Sequence, residues 1–314
     1  MHFKFLILSV LLLTTINEVH AKRKGSGIRK DGRVYAVEYI GNIKDLKKNQ
    51  NATRGPDPLI VGGKKAPKKL RKHLAHVIIV DVFGDVYGCS GTVVGKKYVL
   101  TAAHCFDSYF EKSESFVLIA EKSTGEMLFT WPDNKYFMKN VYVHYRFSFR
   151  DYLENDVALV ELDEDLSKKL YKPIKFGSPP EESFTKIEVA GYGLKGSDKK
   201  KPKRVSLGKV LFQEWGVCYD ELGFHLGNSE SHEFCYTSLQ FPDKGKTGTC
   251  SGDSGGPVLK KDGRKYVQIG IISYYVGEKC ESPGTIMVAQ NLQKYKKMIS
   301  NKVMKNKNKG WKKL

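Results

Sequence analysis

Several things are missing from this sequence, and each absence narrows what it can do. Beyond the first residues, no apolar run reaches the roughly 20 residues that a membrane-spanning helix needs. No two cysteines stand in the C-x-x-C spacing of structural zinc sites, so metal ligands are not expected. No EF-hand pattern occurs, and the acids around Glu111–Glu126 match no calcium-ligand spacing. Nothing here calls for a cofactor. Long stretches of helical periodicity are absent from the middle of the chain, which argues against a helical domain. Nucleic-acid motifs are absent too, and the lysine tracts lack the interleaved aromatics of a base-stacking platform.

Acids are the scarcer charge. The chain has 34 Asp and Glu against 53 Lys and Arg, a formal net charge of +19. That excess is segmental. Residues 22–59 carry +6, and residues 294–314 hold nine lysines and no acid. A loop at 195–209 adds seven basic residues against one acid, and Lys64–Lys72 reads as a solvated basic loop. Such tracts attract any polyanion through counterion release, so a heparin-like glycan is a candidate partner, and specific nucleic acid is not.

What is present reads in segments. Residues 1–21 carry Lys4, a short apolar core over Phe5–Leu13 and the small-residue end Val19-His20-Ala21, the pattern of a secretory signal. The expectation is a secreted, extracellular protein without a transmembrane segment. Residues 22–59 are polar and basic and read as a loosely ordered pro-segment, with one short strand over Val34–Ile40 and a glycosylation acceptor pattern at Asn51. Residues 60–303 hold short strands separated by turn residues, an all-β pattern of sandwich or barrel type. Leu292, Tyr295, Ile299 and Val303 share one face at helical spacing and predict a helix over Asn291–Val303. Residues 304–314 read as a frayed lysine-rich tail. Six cysteines suit three disulfides in an oxidising compartment, and their number alone permits fifteen connectivities.

The densest signal is Gly248–Pro257, Gly-Thr-Cys-Ser-Gly-Asp-Ser-Gly-Gly-Pro. Glycines let the chain turn tightly around Ser254 and aim backbone N–H groups beside its hydroxyl. A serine needs a base and an orienting acid to act as a nucleophile. Thr101-Ala102-Ala103-His104-Cys105 offers the base, and Asn155-Asp156-Val157-Ala158-Leu159 the acid, which precedes a buried run and therefore needs a partner. With these residues in the order His, Asp, Ser, the chain resembles the trypsin/chymotrypsin family of serine proteases from about Ile60 to Ser300.

That resemblance implies two six-stranded antiparallel Greek-key barrels with a C-terminal helix and an active site between them. It implies His104, Asp156 and Ser254 as the catalytic triad, with the N–H groups of Gly252 and Ser254 as the oxyanion hole. It also implies disulfides Cys89–Cys105, Cys218–Cys235 and Cys250–Cys280. Val189-Ala190-Gly191-Tyr192-Gly193 resembles a family strand that usually has Trp at Tyr192. Gly248 falls where trypsin-like members place an acid at the pocket base, and Ser273, Tyr275 and Gly284 fall on its walls. The substrate is then a protein or peptide with an uncharged, small-to-medium side chain before the cut bond, and Tyr275 is expected to narrow the entrance. Ile60-Val61-Gly62-Gly63 resembles the new N-terminus made on activation, whose amino group pairs with Asp253. Leu59 precedes it in place of the usual Arg or Lys, so a trypsin-like activator does not fit, and cutting by the enzyme itself is an alternative. The rival reading is a catalytically silent protein of the same fold that binds polyanions or partner proteins.

Overall fold

The computed structural model describes residues 26–28, 33–36, 38–42, 60–106, 110–119, 135–148, 154–168, 171–193, 205–214, 216–218, 232–241, 245–277, 280 and 285–314. Leu59, Gly284, Asn51 and most of the 195–209 loop, sequence features singled out above, lie outside them.

Among the described residues of 22–59, the leader, are three strands, β1 (Ser26–Ile28), β2 (Arg33–Ala36) and β3 (Glu38–Asn42). After them come the short β4 (Lys64–Lys65) and helix α1 (Lys68–Arg71). Six strands then follow: β5 (Leu74–Val80), β6 (Asp85–Val93), β7 (Tyr98–Thr101), β8 (Phe116–Ile119), β9 (Lys135–His144) and β10 (Ala158–Leu162). They pair in the order β10-β7-β6-β5-β8-β9, and β10 also pairs with β9, closing an antiparallel barrel. Alternation explains its core. Ala75, Val77 and Ile79 of β5 face inward with Val99, Val117, Val141 and Val160. Ile78 and Val80, on the opposite face, pack with Ile40 of the leader.

After β11 (Lys175–Phe176) the second barrel runs through β12 (Lys186–Gly191), β13 (Ser206–Gln213), β14 (Glu233–Phe241), the short β15 (Gly245–Thr247), β16 (Pro257–Asp262), β17 (Lys265–Val276) and β18 (Ile286–Asn291). The order β17-β16-β12-β13-β14 is closed by β18, which pairs with both β14 and β17. Its core holds Val189, Val210, Phe234, Tyr236, Val258, Ile269 and Met287, and Ile60 is buried among them. Two closed six-stranded antiparallel barrels are the architecture the resemblance implies.

Helix α2 (Leu292–Lys305) closes the fold. Asn291 caps it, its side-chain oxygen accepting from the Gln293 N–H at 3.2 Å. Leu292, Tyr295 and Ile299 pack on Leu100 and Leu159 of the first barrel and Ile271 of the second, so one apolar face spans both.

Three expectations need correcting. The tail is not frayed: β19 (Trp311–Lys313) pairs with β9, with Trp311 opposite His144. Asn306 ends α2 in the left-handed region at φ 50°, and Trp311 is buried against the α2 cluster. The Lys302 ammonium holds this return, donating to Asn306 and Asn308 Oδ1 at 2.8 Å each and lying 3.8 Å from the Tyr142 ring centre. Lys64–Lys72 is not a plain solvated loop, because β4 pairs with β13 and Leu70 of α1 is fully buried. The leader is not loosely ordered throughout, and its one expected strand is two, lying on different barrels: β2 pairs with β17, and β3 with β6.

Candidate active site

His104 sits in a single 3-10 turn, Ala103–Cys105, directly after β7. A disulfide from Cys89 on β6 to Cys105 braces that turn. Asp156 lies just before β10 and has no exposed surface. Asn155 before it takes φ 57°, a left-handed conformation that Asn tolerates better than most residues. The Tyr295 hydroxyl of α2 donates to Asn155 Oδ1 at 3.3 Å, so the closing helix steadies the loop that carries the acid.

The Asp156 carboxylate accepts three hydrogen bonds. The His104 backbone N–H donates to Oδ1 at 2.8 Å, and the ring Nδ1 lies 2.6 Å from Oδ2. Ser273 Oγ donates to Oδ2 at 2.5 Å. An ionised carboxylate only accepts, so Nδ1 must carry the proton. The Nε2 lone pair is then left to act as a base. Both side chains are buried, which strengthens the bond between them.

Ser254 stands in a turn between β15 and β16 whose glycines are used at two points. Gly252 takes φ 90° and Gly255 φ 80°, where side chains are strained. A side chain at Gly255 would also collide with Thr101 and with the Ser90 carbonyl of the first barrel. Ser90 joins the barrels here. Its N–H donates to the Ser254 carbonyl at 2.8 Å, its hydroxyl donates to the Gly252 carbonyl at 2.8 Å, and that same oxygen accepts from the Tyr192 N–H at 2.9 Å. Thr101, three residues before His104, donates its hydroxyl to the Ser90 carbonyl at 2.8 Å. The nucleophile turn and the histidine turn are therefore registered through one residue that sequence reasoning passed over. Serine at a strand position carries no such signal.

A recess beside Ser254 is lined by Thr249, Cys250, Ile272, Ser273, Tyr274 and Tyr275, none of them charged. Ser273 and Tyr275, singled out from the sequence, are among these lining residues. Gly248 does not line it; Thr249 and Cys250 do. A Cβ on Gly248 would lie 2.5 Å from Met287 Cε, so Met287 fills the space behind the glycine. Met287 Sδ also accepts the Thr249 N–H at 3.4 Å, and the Tyr236 hydroxyl lies 2.9 Å from Thr249 Oγ1. The disulfide Cys250–Cys280 ties this wall, and Cys218–Cys235 closes the third expected pair.

Asp253 is buried behind the nucleophile. Its Oδ1 accepts from the Gly193 N–H at 2.8 Å and its Oδ2 from the Cys250 N–H at 2.9 Å. Burial pushes its carboxyl up to about 7, against those two bonds. Among the described residues no side-chain cation pairs with it. A side chain at Gly191 would collide with this carboxylate, so that glycine is needed for the chain to pass. Next to it, the Tyr192 ring stacks on His76 with centres 4.5 Å apart, and burial lowers the His76 imidazole to about 3. Ile60 packs against Gly208, where a Cβ would come within 2.6 Å of its Cγ2. Val61 and Gly248 exchange backbone hydrogen bonds at 3.1 and 3.2 Å.

A search against protein-family models matches the Trypsin family over residues 60–299. The chain belongs to the trypsin family of serine proteases. Its relatives include transmembrane protease serine 11C of Mus musculus, 27% identical over 69% of this chain and 48% of that protein. Serine protease 56 of Homo sapiens is 30% identical over 72% of this chain and 35% of its own length. Atrial natriuretic peptide-converting enzyme of Homo sapiens is 28% identical over 63% of this chain and 18% of that protein. The chain thus matches about half of these relatives' length or less. No helix among the described residues is long and apolar enough to cross a membrane.

Proposed function

We propose that the protein is a secreted serine endopeptidase, made as a zymogen, that cleaves peptide bonds through an acyl-enzyme on Ser254. In this reading His104 Nε2 takes the proton from the Ser254 hydroxyl as its oxygen attacks the scissile carbonyl carbon. The negative oxygen that forms is held by the N–H groups of Gly252 and Ser254. His104 then gives the proton to the leaving amine, and water repeats the sequence to release the acid and restore the serine. Asp156 holds the ring tautomer and stabilises the imidazolium. The observation that carries this reading is the buried Asp156 carboxylate bonded twice to His104 and once to Ser273.

Labelling with an active-site-directed fluorophosphonate tests it. Ser254 is expected to react, and Ser254→Ala and His104→Ala to lose peptidase activity by roughly 10⁴-fold or more. Absence of labelling in the matured protein would favour the catalytically silent rival.

The uncharged recess supports cleavage after uncharged, small-to-medium side chains. A buried substrate cation there would lack a partner, at a cost of several kcal/mol. Activation is read as cleavage between Leu59 and Ile60. This is supported by the buried Ile60 and by Asp253, whose burial penalty an α-amino cation would offset. A heparin-like polyanion is a further candidate partner through the basic segments, and retention on heparin at physiological salt is the test.

A further inference from the structure

Two strands that precede Ile60 in the chain pair with the two barrels close to Ser254. Strand β16 leaves β17 after Pro257 pairs with Ile271, so the edge of β17 beyond that point is open to another strand. That edge runs past Ser273, which bonds Asp156, and on to Tyr275, which lines the recess beside Ser254. Strand β2 takes it, antiparallel, with Val34 opposite Tyr275 and Arg33 opposite Val276. Four residues later the chain is on the other barrel: β3 runs antiparallel to β6 with Glu38 opposite Gly88 and Tyr39 opposite Tyr87. Gly88 is two residues before Ser90, whose N–H donates to the Ser254 carbonyl. One ladder therefore involves a residue of the recess beside Ser254, and the other lies on the strand whose Ser90 bonds the Ser254 carbonyl.

The crossing is anchored. Ile40 is buried with Ile78, Val80, Val86, Phe116 and Leu118 on the outer face of the first barrel. The Tyr39 and Tyr87 rings meet edge to face at 5.7 Å, and Asn42 Nδ2 donates to Asp85 Oδ1 at 3.2 Å. On the far side β1 pairs with β2, so the segment on β17 is itself backed by a strand.

We propose that Arg33–Ala36 and Glu38–Asn42 occupy the path of an extended peptide substrate through the catalytic cleft, so that the leader competes in cis with substrate for both barrel edges. This is strand addition, in which main-chain hydrogen bonds supply affinity and side-chain pockets selectivity. It rests on the proteolytic reading of the same cleft. The leader contains no cysteine, so a cut before Ile60 leaves it held by these non-covalent contacts alone.

The test uses the full chain in two ways. In a Ser254→Ala background, Val34→Cys with Tyr275→Cys is expected to form a disulfide under mild oxidation, because the two positions are direct partners. Val34→Cys with Tyr274→Cys is expected not to, since neighbouring side chains on a strand face opposite ways. Failure of the first pair, or equal linking of both, overturns the proposal. With Ser254 intact, two fluorophosphonates are compared, one small and one carrying a tripeptide arm. Backbone N–H groups alternate in direction along β2, so either Val34→Pro or Tyr35→Pro removes one from the β17 side. One of the two variants is expected to speed labelling by the peptidyl probe at least tenfold, with labelling by the small probe changed less than twofold. Equal peptidyl rates in the parent and both variants, with the small probe reacting, overturn the proposal. A protein that reacts with neither probe yet forms the Val34–Tyr275 link leaves the leader in the cleft and removes the proteolytic reading instead.

Discussion

Asp253 offers a measurement that follows directly from its burial. Its carboxyl is pushed up to about 7 from an ordinary 3.8. The folded uncut chain therefore binds a proton more tightly than the unfolded chain does. Stability is undiminished below about 4, falls as pH rises toward 7, and then levels off. A shift of roughly three units at about 1.4 kcal/mol each makes the loss about 4 kcal/mol. Asp253→Asn, made in Ser254→Ala so that no cut occurs, removes the titration. Asparagine resembles the protonated acid but lets one of the Gly193 and Cys250 N–H groups go without a good acceptor, costing about 1–3 kcal/mol. The variant is thus expected to be less stable than its parent at pH 4 and more stable at pH 8. At about 2–4 °C per kcal/mol for a domain of this size, the difference in Tm should swing by roughly 10 °C between those pH values. Thermal unfolding of both proteins at matched pH reads this directly. A Tm difference that stays constant from pH 4 to pH 8 would refute the reasoning. In protein cut before Ile60 the slope is expected to reverse, because a paired carboxylate is stabilised in its charged form.

Other perturbations read other parts of the structure. His76→Phe is expected to lessen the loss of stability on acidification below about 6.5, because the neutral buried imidazole, lowered to about 3, opposes the proton that the unfolded chain binds; Tm measured from pH 4 to pH 7 checks it. Ser273→Ala removes a charge-assisted bond to Asp156 and is expected to lower kcat about tenfold or more with KM little changed, read in steady-state peptide hydrolysis. Gly248→Asp alone is expected not to create cleavage after Arg, since its Cβ meets Met287 Cε at 2.5 Å; kcat/KM for Arg and Ala peptides, with and without Met287→Ala, decides this. Trp311→Ala is expected to cost about 2–4 kcal/mol in urea unfolding, which a frayed tail would not show.

The sequence singled out Ser254, His104 and Asp156 because each sits in a local pattern that has a physical reason. Ser254 needs glycines around it, His104 follows a strand and precedes a disulfide, and Asp156 opens a buried run. The barrels were legible as short strands, and their closure only through family resemblance, since the β10–β9 and β18–β17 pairings are long-range choices that no local pattern states. What stayed hidden depends on tertiary proximity. Ser90 reads as an ordinary strand serine, yet its N–H and hydroxyl join the barrels at the Ser254 turn and its carbonyl holds Thr101. Met287 reads as core, yet its side chain takes the space behind Gly248. Lysine-rich composition suggested disorder at both ends, while single apolar anchors, Ile40 and Trp311, tie each end to a barrel. Composition averages over a segment, and one buried side chain can outweigh it.

These features give the uncut chain two separate restraints, and they act on different quantities. If the leader strands on Tyr275 and Gly88 limit access as proposed, loosening them should lower the KM for a long peptide. Asp253, with two backbone donors and no cation among the described residues, limits the stability of the loops around Ser254, which bears on kcat. Val34→Pro or Tyr35→Pro opens the path without supplying an amino group, so a long substrate should bind while turnover stays low. On the proposed activation, one cut before Ile60 would act on both, since it would free an α-amino group for Asp253 and sever the leader's covalent tether. Leader variants that match the fully matured enzyme in kcat while still uncut would show that Asp253 imposes no restraint, leaving access as the only one.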